Sequence, residues 1–181
     1  MNKKLLTIAG VIVVALIAIV VLTNNSNTNT NEQNEATTED IKKLVNDFTV
    51  GNVQAQNASI TSEQLIVTES DNSEKVYELL EDEFFVSIAP FIEQTHPCAD
   101  HNLTGCQGEM IKEDFVVHIE DEEGNVVVDE TLTSEENGFI DLWLPRDKNY
   151  KINISNGDKT AESEFSTFTG DNTCITTIQL T

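Results

Sequence analysis

The chain has 181 residues, enough for one ordinary domain or two small ones once an anchor and a linker are set aside. Its 32 acidic and 10 basic residues give a formal charge of -22. A body so acidic repels phosphate backbones, which excludes a nucleic-acid partner, and it attracts cations in general.

Lys3 and Lys4 precede an uncharged run, Leu5 to Leu22. That length is close to the lower limit of roughly 17–25 residues for a helix crossing a bilayer. Lysines on the N-terminal side favour an N-inside orientation, which puts the remainder outside the cytoplasm. Residues 1–22 therefore read as a transmembrane anchor or a signal segment. The run ends Val-Val-Leu-Thr-Asn-Asn without a small-x-small cleavage site, which favours the anchor. Contact with the membrane is expected through this segment only. Residues 23–38 (TNNSNTNTNEQNEATT) are dominated by Asn, Thr, Ser and Glu, which bury no apolar area, so they read as a flexible linker.

A helix is predicted next. Thr38 can cap it, Ile41, Leu44, Val45 and Phe48 recur at helical spacing, and Gly51 is a natural stop. Residues 58–68 read as one strand, and Lys75 to Leu80 as another after the turn Asp71-Asn72-Ser73. Phe84 to Ile92 is a strongly apolar strand in which Pro90 marks an edge or an end. Glu93 to Met110 (EQTHPCADHNLTGCQGEM) has no hydrophobic period and reads as a functional loop. From Phe115 onward the pattern is a succession of antiparallel strands. They cover Phe115 to Glu120, Val126 to Leu132, Phe139 to Leu144, Tyr150 to Ile154, Thr160 to Phe168 and Cys174 to Leu180, separated by Gly, Asn and Asp turns. The fold class expected is α+β, mainly β. A short N-terminal α/β part over residues 39–111 ends in the Cys/His loop, and an antiparallel β-sandwich follows over residues 112–181.

The chemistry concentrates in five residues. Cys98, Cys106, His96 and His101 share the loop, and Cys174 opens the last strand. Thiolate with imidazole suits soft or borderline ions, Cu(I) and Zn(II) first. Gly105 and Gly108 let the backbone bend around Cys106. Three thiolates suit a trigonal Cu(I) site; a Cys₃His or Cys₂His₂ set suits tetrahedral zinc. The competing reading is a disulfide, Cys98–Cys106 or Cys106–Cys174, stapling the loop to the body and leaving one odd thiol. That reading makes the protein a cell-surface interaction module. Among the other residues, His118 reads as a surface histidine beside Glu120. Glu109 reads as a solvated loop acid, with orientation of a histidine as its alternative, and Trp143 reads as core. No CxxC, Ser/His/Asp, GxGxxG or HExxH arrangement is present, so the protein is not expected to be an enzyme.

The stretch FFVSIAPFIEQTHPCADHNLTGCQGE resembles the signature of the CueP-type copper-binding proteins of the bacterial periplasm or cell envelope. The resemblance continues through VHIEDEEGNVVVDETLTSEENGFIDLWLPRDKNYKI and FSTFTGDNTCITTIQL, and covers residues 39–181. It implies an extracytoplasmic copper-binding protein for tolerance, storage or delivery, with Cys98, Cys106 and Cys174 as Cu(I) ligands and His96 and His101 at matching positions. Cu(II) is a further expected ligand, reduced to Cu(I) by the thiols, and zinc is the alternative metal. A partner cuproprotein that accepts the copper is expected. The N-terminal anchor is a departure from the pattern.

Overall fold

The computed structural model describes residues 38–181. The anchor or signal segment at residues 1–22 and the linker up to residue 37 lie outside the described residues. Among the described residues no helix is long and apolar enough to cross a membrane.

The one helix described, α1 (Thr38–Thr49), turns Ile41, Val45 and Phe48 inward at a spacing of one and two turns. Glu39 and Asp40 lie in its first turn, where the helix dipole favours acids. It ends at Gly51, whose φ of 73° is the left-handed conformation in which a Cβ is strained. Eleven strands follow. β1 (Asn57–Ile60), β2 (Gln64–Thr68), β3 (Glu74–Glu78) and β5 (His101–Asn102) form an N-terminal sheet in the order β3-β2-β1-β5. β6 (Asp114–Asp121), β7 (Val126–Thr133), β9 (Asn149–Asn156) and β10 (Lys159–Ser166) form a C-terminal antiparallel sheet in the order β10-β9-β6-β7. Between them lies a three-stranded sheet, β11-β4-β8, made from β4 (Glu83–Ile88), β8 (Ile140–Pro145) and β11 (Cys174–Ile175). The architecture is mainly β with a short N-terminal helix, and its sheets are antiparallel apart from the parallel pair β4 and β11.

The middle sheet divides the apolar interior. Phe84, Val86 and Ile88 of β4 pack with Phe115, Val117, Ile119, Ile152 and Ile154 of the C-terminal sheet. Phe85 and Trp143 face the other way, into the cluster of Ile41, Val45, Phe48, Ile60 and Leu65. A strand covered on both faces needs no alternation, which accounts for the continuous apolar reading of β4. Its neighbours on both sides make it the central strand of its sheet, and it stops at Ile88, before Pro90.

Two expected strands differ most from the sequence reading. The expected strand over residues 58–68 is a hairpin, because Thr61 Oγ1 accepts the backbone N–H of Glu63 (3.2 Å) and of Gln64 (3.0 Å) and turns the chain. The expected strand from Cys174 to Leu180 keeps only two residues of ladder. The chain beyond them touches Phe91 through a single bridge at Gln179.

Candidate metal centre

Three elements bring the candidate residues together. β5 lays His101 opposite Ile60 at the edge of the N-terminal sheet. β11 lays Cys174 beside Ser87 of β4. The loop itself carries Cys98 and Cys106. Several long-range bonds hold this junction. The His101 N–H donates to Thr173 Oγ1 (2.9 Å), and that hydroxyl donates to the Ile60 carbonyl (2.6 Å). The Cys174 N–H donates to the Ala99 carbonyl (3.0 Å), and within the loop the Cys106 N–H donates to the Asn102 carbonyl (2.9 Å).

The loop's outer limb is fixed by backbone contact. The Gly108 N–H donates to the Asn137 carbonyl, and a Cβ at Gly108 would meet the Gly138 carbonyl oxygen at 2.6 Å. Gly108 is therefore required for close approach, beyond any bend it permits. Glu109 closes the loop's base. Its carboxylate accepts the backbone N–H groups of Ile92 (2.8 Å), Glu93 (3.0 Å) and Gln94 (3.1 Å). Those bonds, led by that from Gln94, hold its carboxyl below the usual range. Glu109 thus organises backbone, a role that neither sequence reading of it covers.

Donor atoms of Cys98, His101, Cys106 and Cys174 all lie within 4.8 Å of one another. His96 is outside this group of four, with its ring 6.4 Å from that of Phe139. His118 sits on the outer face of the C-terminal sheet, 3.2 Å from Asp129. The three cysteines are free thiols. Cys98 Sγ and Cys106 Sγ are 3.6 Å apart, and Cys174 Sγ is 3.5 Å from His101 Nδ1. The inner half of the cluster is dry: His101 and Cys174 are buried, whereas Cys98 and Cys106 are half-buried and give access from outside. Phe139 packs against the His101 ring at 4.5 Å between centroids, and Phe85 lies at 6.2 Å on the same ring.

The thiols ionise unequally. Cys106 is held far below the ordinary thiol range, first by the hydrogen bond from Cys174 and further by the His101 ring and the Asn102 N–H, against the opposing effect of burial. Cys174 is pushed far up, because it donates that bond and is buried. Cys98 is pushed up to about 11, by burial first, with the nearby Cys106 adding to it. One thiolate with two thiols around it is what a small buried cluster tolerates alone. A cation that neutralises the charge lets the remaining protons leave. The donor set, three sulfurs and one imidazole, suits a soft or borderline cation such as copper or zinc.

Sequence reasoning overlooked Ser87, Asp141 and Thr173, which support the cluster. Ser87 and Thr173 are fully buried. The signal was present: Ser87 is a lone hydroxyl in the apolar run FFVSIAP, and Asp141 a lone carboxylate in FIDLWL. A polar side chain inside a buried strand has to be hydrogen-bonded to something.

The family described as periplasmic copper-binding protein CueP matches residues 39–179. Among solved structures, the crystal structure of S.CueP is similar at a TM-score of 0.72 and 30% sequence identity, over 91% of this chain and 96% of that one. No curated protein matches.

Proposed function

The chain belongs to the family of periplasmic copper-binding protein CueP, and from that premise we propose that it captures copper outside the cytoplasm and retains it as Cu(I) on Cys98, Cys106 and Cys174, with His101 Nδ1 beside them. The observation that carries this reading is the convergence of four soft or borderline donors within 4.8 Å from two distant stretches of chain. Half-buried Cys98 and Cys106 receive the ion. Buried Cys174 and His101 then hold it away from water. The acidic body draws cations toward the opening. His96, on the same loop, lies outside the group of four and is the entry-side candidate. The uncharged run Leu5–Leu22 behind Lys3 and Lys4 supports a tether at the outer face of the cell membrane. From there the copper is stored or handed to an acceptor cuproprotein.

Reduction of Cu(II) by this protein is stoichiometric and separate from retention. Two Cu(II) ions each gain one electron as the Cys106 thiolate and the Cys98 thiol form a disulfide and release the one proton that Cys98 carried. The product chain keeps Cys174 as its one thiol. An external thiol reductant must restore the other two before the chain holds Cu(I) again. The protein is accordingly a carrier or buffer and not an enzyme.

The test is an anaerobic titration of the reduced protein with Cu(I) against a competing chelator, with free thiols counted before and after. One Cu(I) held tightly, with three thiols protected together, is the expected result. Failure to compete for Cu(I), with a re-forming disulfide and one leftover thiol, overturns the reading in favour of a stapled surface module. Retention of Zn(II) in preference to Cu(I) overturns it in favour of a Cys₃His zinc site.

A further inference from the structure

A chain of hydrogen-bonded polar groups runs from the sulfur cluster to the end of α1. His101 Nε2 lies 3.3 Å from Ser87 Oγ. Ser87 Oγ lies 2.5 Å from Asp141 Oδ1, to which it donates. The other carboxylate oxygen, Asp141 Oδ2, accepts the hydroxyl of Thr49 at 2.8 Å. Neither His101 nor Ser87 exposes any surface, so water does not compete at their contact.

Hydrogen counting fixes the directions. A carboxylate only accepts, and Asp141 takes one hydroxyl hydrogen on each oxygen. Serine has one hydrogen to give, and it goes to Asp141. Toward the histidine, Ser87 Oγ therefore offers only a lone pair, and the hydrogen between them must sit on Nε2. In the neutral ring Nδ1 is then bare, and Nδ1 is the nitrogen that faces Cys174 Sγ. We infer that Ser87 and Asp141 are positioning residues that hold His101 as the Nε2–H tautomer, so that its Nδ1 lone pair is presented to the sulfur cluster. This inference deepens the copper reading and rests on it for the identity of the ion.

The arrangement divides labour across the imidazole. Nδ1 lies 3.5 Å from Cys174 Sγ and turns its lone pair toward the sulfur cluster, where a soft cation can take it. Nε2 is anchored to the middle sheet, through β4 at Ser87 and β8 at Asp141. Phe139 and Phe85 restrict the ring from its faces. Outer contacts of this kind set ligand tautomer and orientation in metal sites, and their loss costs about 10–100-fold in affinity.

The test reads the tautomer directly, by long-range ¹H–¹⁵N correlation of the His101 ring in the reduced, metal-free full chain, and Cu(I) affinity separately by chelator competition. The native ring is expected as Nε2–H. Asp141→Leu removes the acceptor of the Ser87 hydroxyl, whose hydrogen then turns to Nε2; the ring is expected to shift to Nδ1–H and Cu(I) binding to weaken by about 10–100-fold. Ser87→Ala, a smaller change that keeps the strand, is expected to give a mixture of tautomers and a lesser loss, and it carries the test if Asp141→Leu does not fold. A native ring found as Nδ1–H, or a tautomer indifferent to Ser87→Ala, overturns the inference. So does a shifted tautomer with unchanged Cu(I) affinity. A native protein that fails to hold Cu(I) while its tautomer responds as described overturns the copper reading alone and leaves the positioning contact standing.

Discussion

In the sheet β10-β9-β6-β7 the side each residue faces is decided by its near neighbours. Phe115, Val117 and Ile119 turn inward, while Val116, His118 and Glu120 turn outward. In the segment from Glu93 to Met110 local turns around Asn102 are joined to the body by contacts remote in sequence. His101 is held by Thr173, Cys174 by Ala99, Gly108 by Asn137, and Glu109 by three backbone N–H groups on the far limb of its own loop. Both regions contain a histidine close to a carboxylate, and the contrast between the two is instructive. His118 reaches Asp129 directly across an exposed sheet face. His101 reaches Asp141 through Ser87, and both His101 and Ser87 are fully buried. Repetition builds a stable surface, whereas tertiary contacts build a site in which a donor atom has a defined direction.

The sharpest way to break this comparison is to remove a buried ring from each region. Phe115→Ala and Phe139→Ala, both fully buried, should each cost about 3–5 kcal/mol in urea unfolding of the metal-free protein. Only Phe139→Ala should also weaken Cu(I), because Phe139 packs on His101. Equal effects of both on Cu(I) would mean that the site feels general stability and not its own wall. Next in size, Cys174→Ser should weaken Cu(I) by about a hundredfold or more, equivalent to about 2.7 kcal/mol. His118→Ala should leave Cu(I) binding unchanged in the same chelator competition; equal losses would remove Cys174 from the site. Gly108→Ala should cost about 1–3 kcal/mol by forcing the 2.6 Å contact with the Gly138 carbonyl apart. Gly124→Ala is the comparison in the sheet's turn: its Cβ meets nothing within 4 Å, so its cost is that of the positive φ alone.

The smallest effect concerns acid. The Glu109 carboxyl lies below its unfolded value, so its contribution is present above the ordinary carboxylate range, about pH 4, and is lost as pH falls through the depressed folded value. Glu109→Gln should therefore lower stability at neutral pH by under about 1 kcal/mol, since the group is exposed. The difference from the native protein should vanish in strong acid. A difference that grows toward acid would reverse the sign and remove the capping role.

The same contrast sets how much was legible beforehand. The mainly-β class and the short helix followed from period and turn residues, because in α1 and in β6, β7, β9 and β10 burial is settled within each element. The loop could be recognised by its residue types. Which histidine lies with the three cysteines could not be read, because that depends on β5 pairing with β1 and on Thr173 reaching across from before β11. The break at Thr61 was written in a hydroxyl followed by two polar residues, yet the apolar residues on either side read as continuous. Ser87 and Asp141 looked like imperfections in apolar strands because their partners are remote in sequence.

Cys98 and Cys106 belong to the middle of the chain and Cys174 to its last strand. A polypeptide made and delivered N-terminus first therefore presents two sulfurs long before the third. Until β11 has docked beside β4, the half-made protein has no enclosed sulfur trio and no buried imidazole facing it. An arrangement of all three sulfurs around the buried imidazole therefore requires β11 in place beside β4, and a chain truncated before Cys174 lacks it.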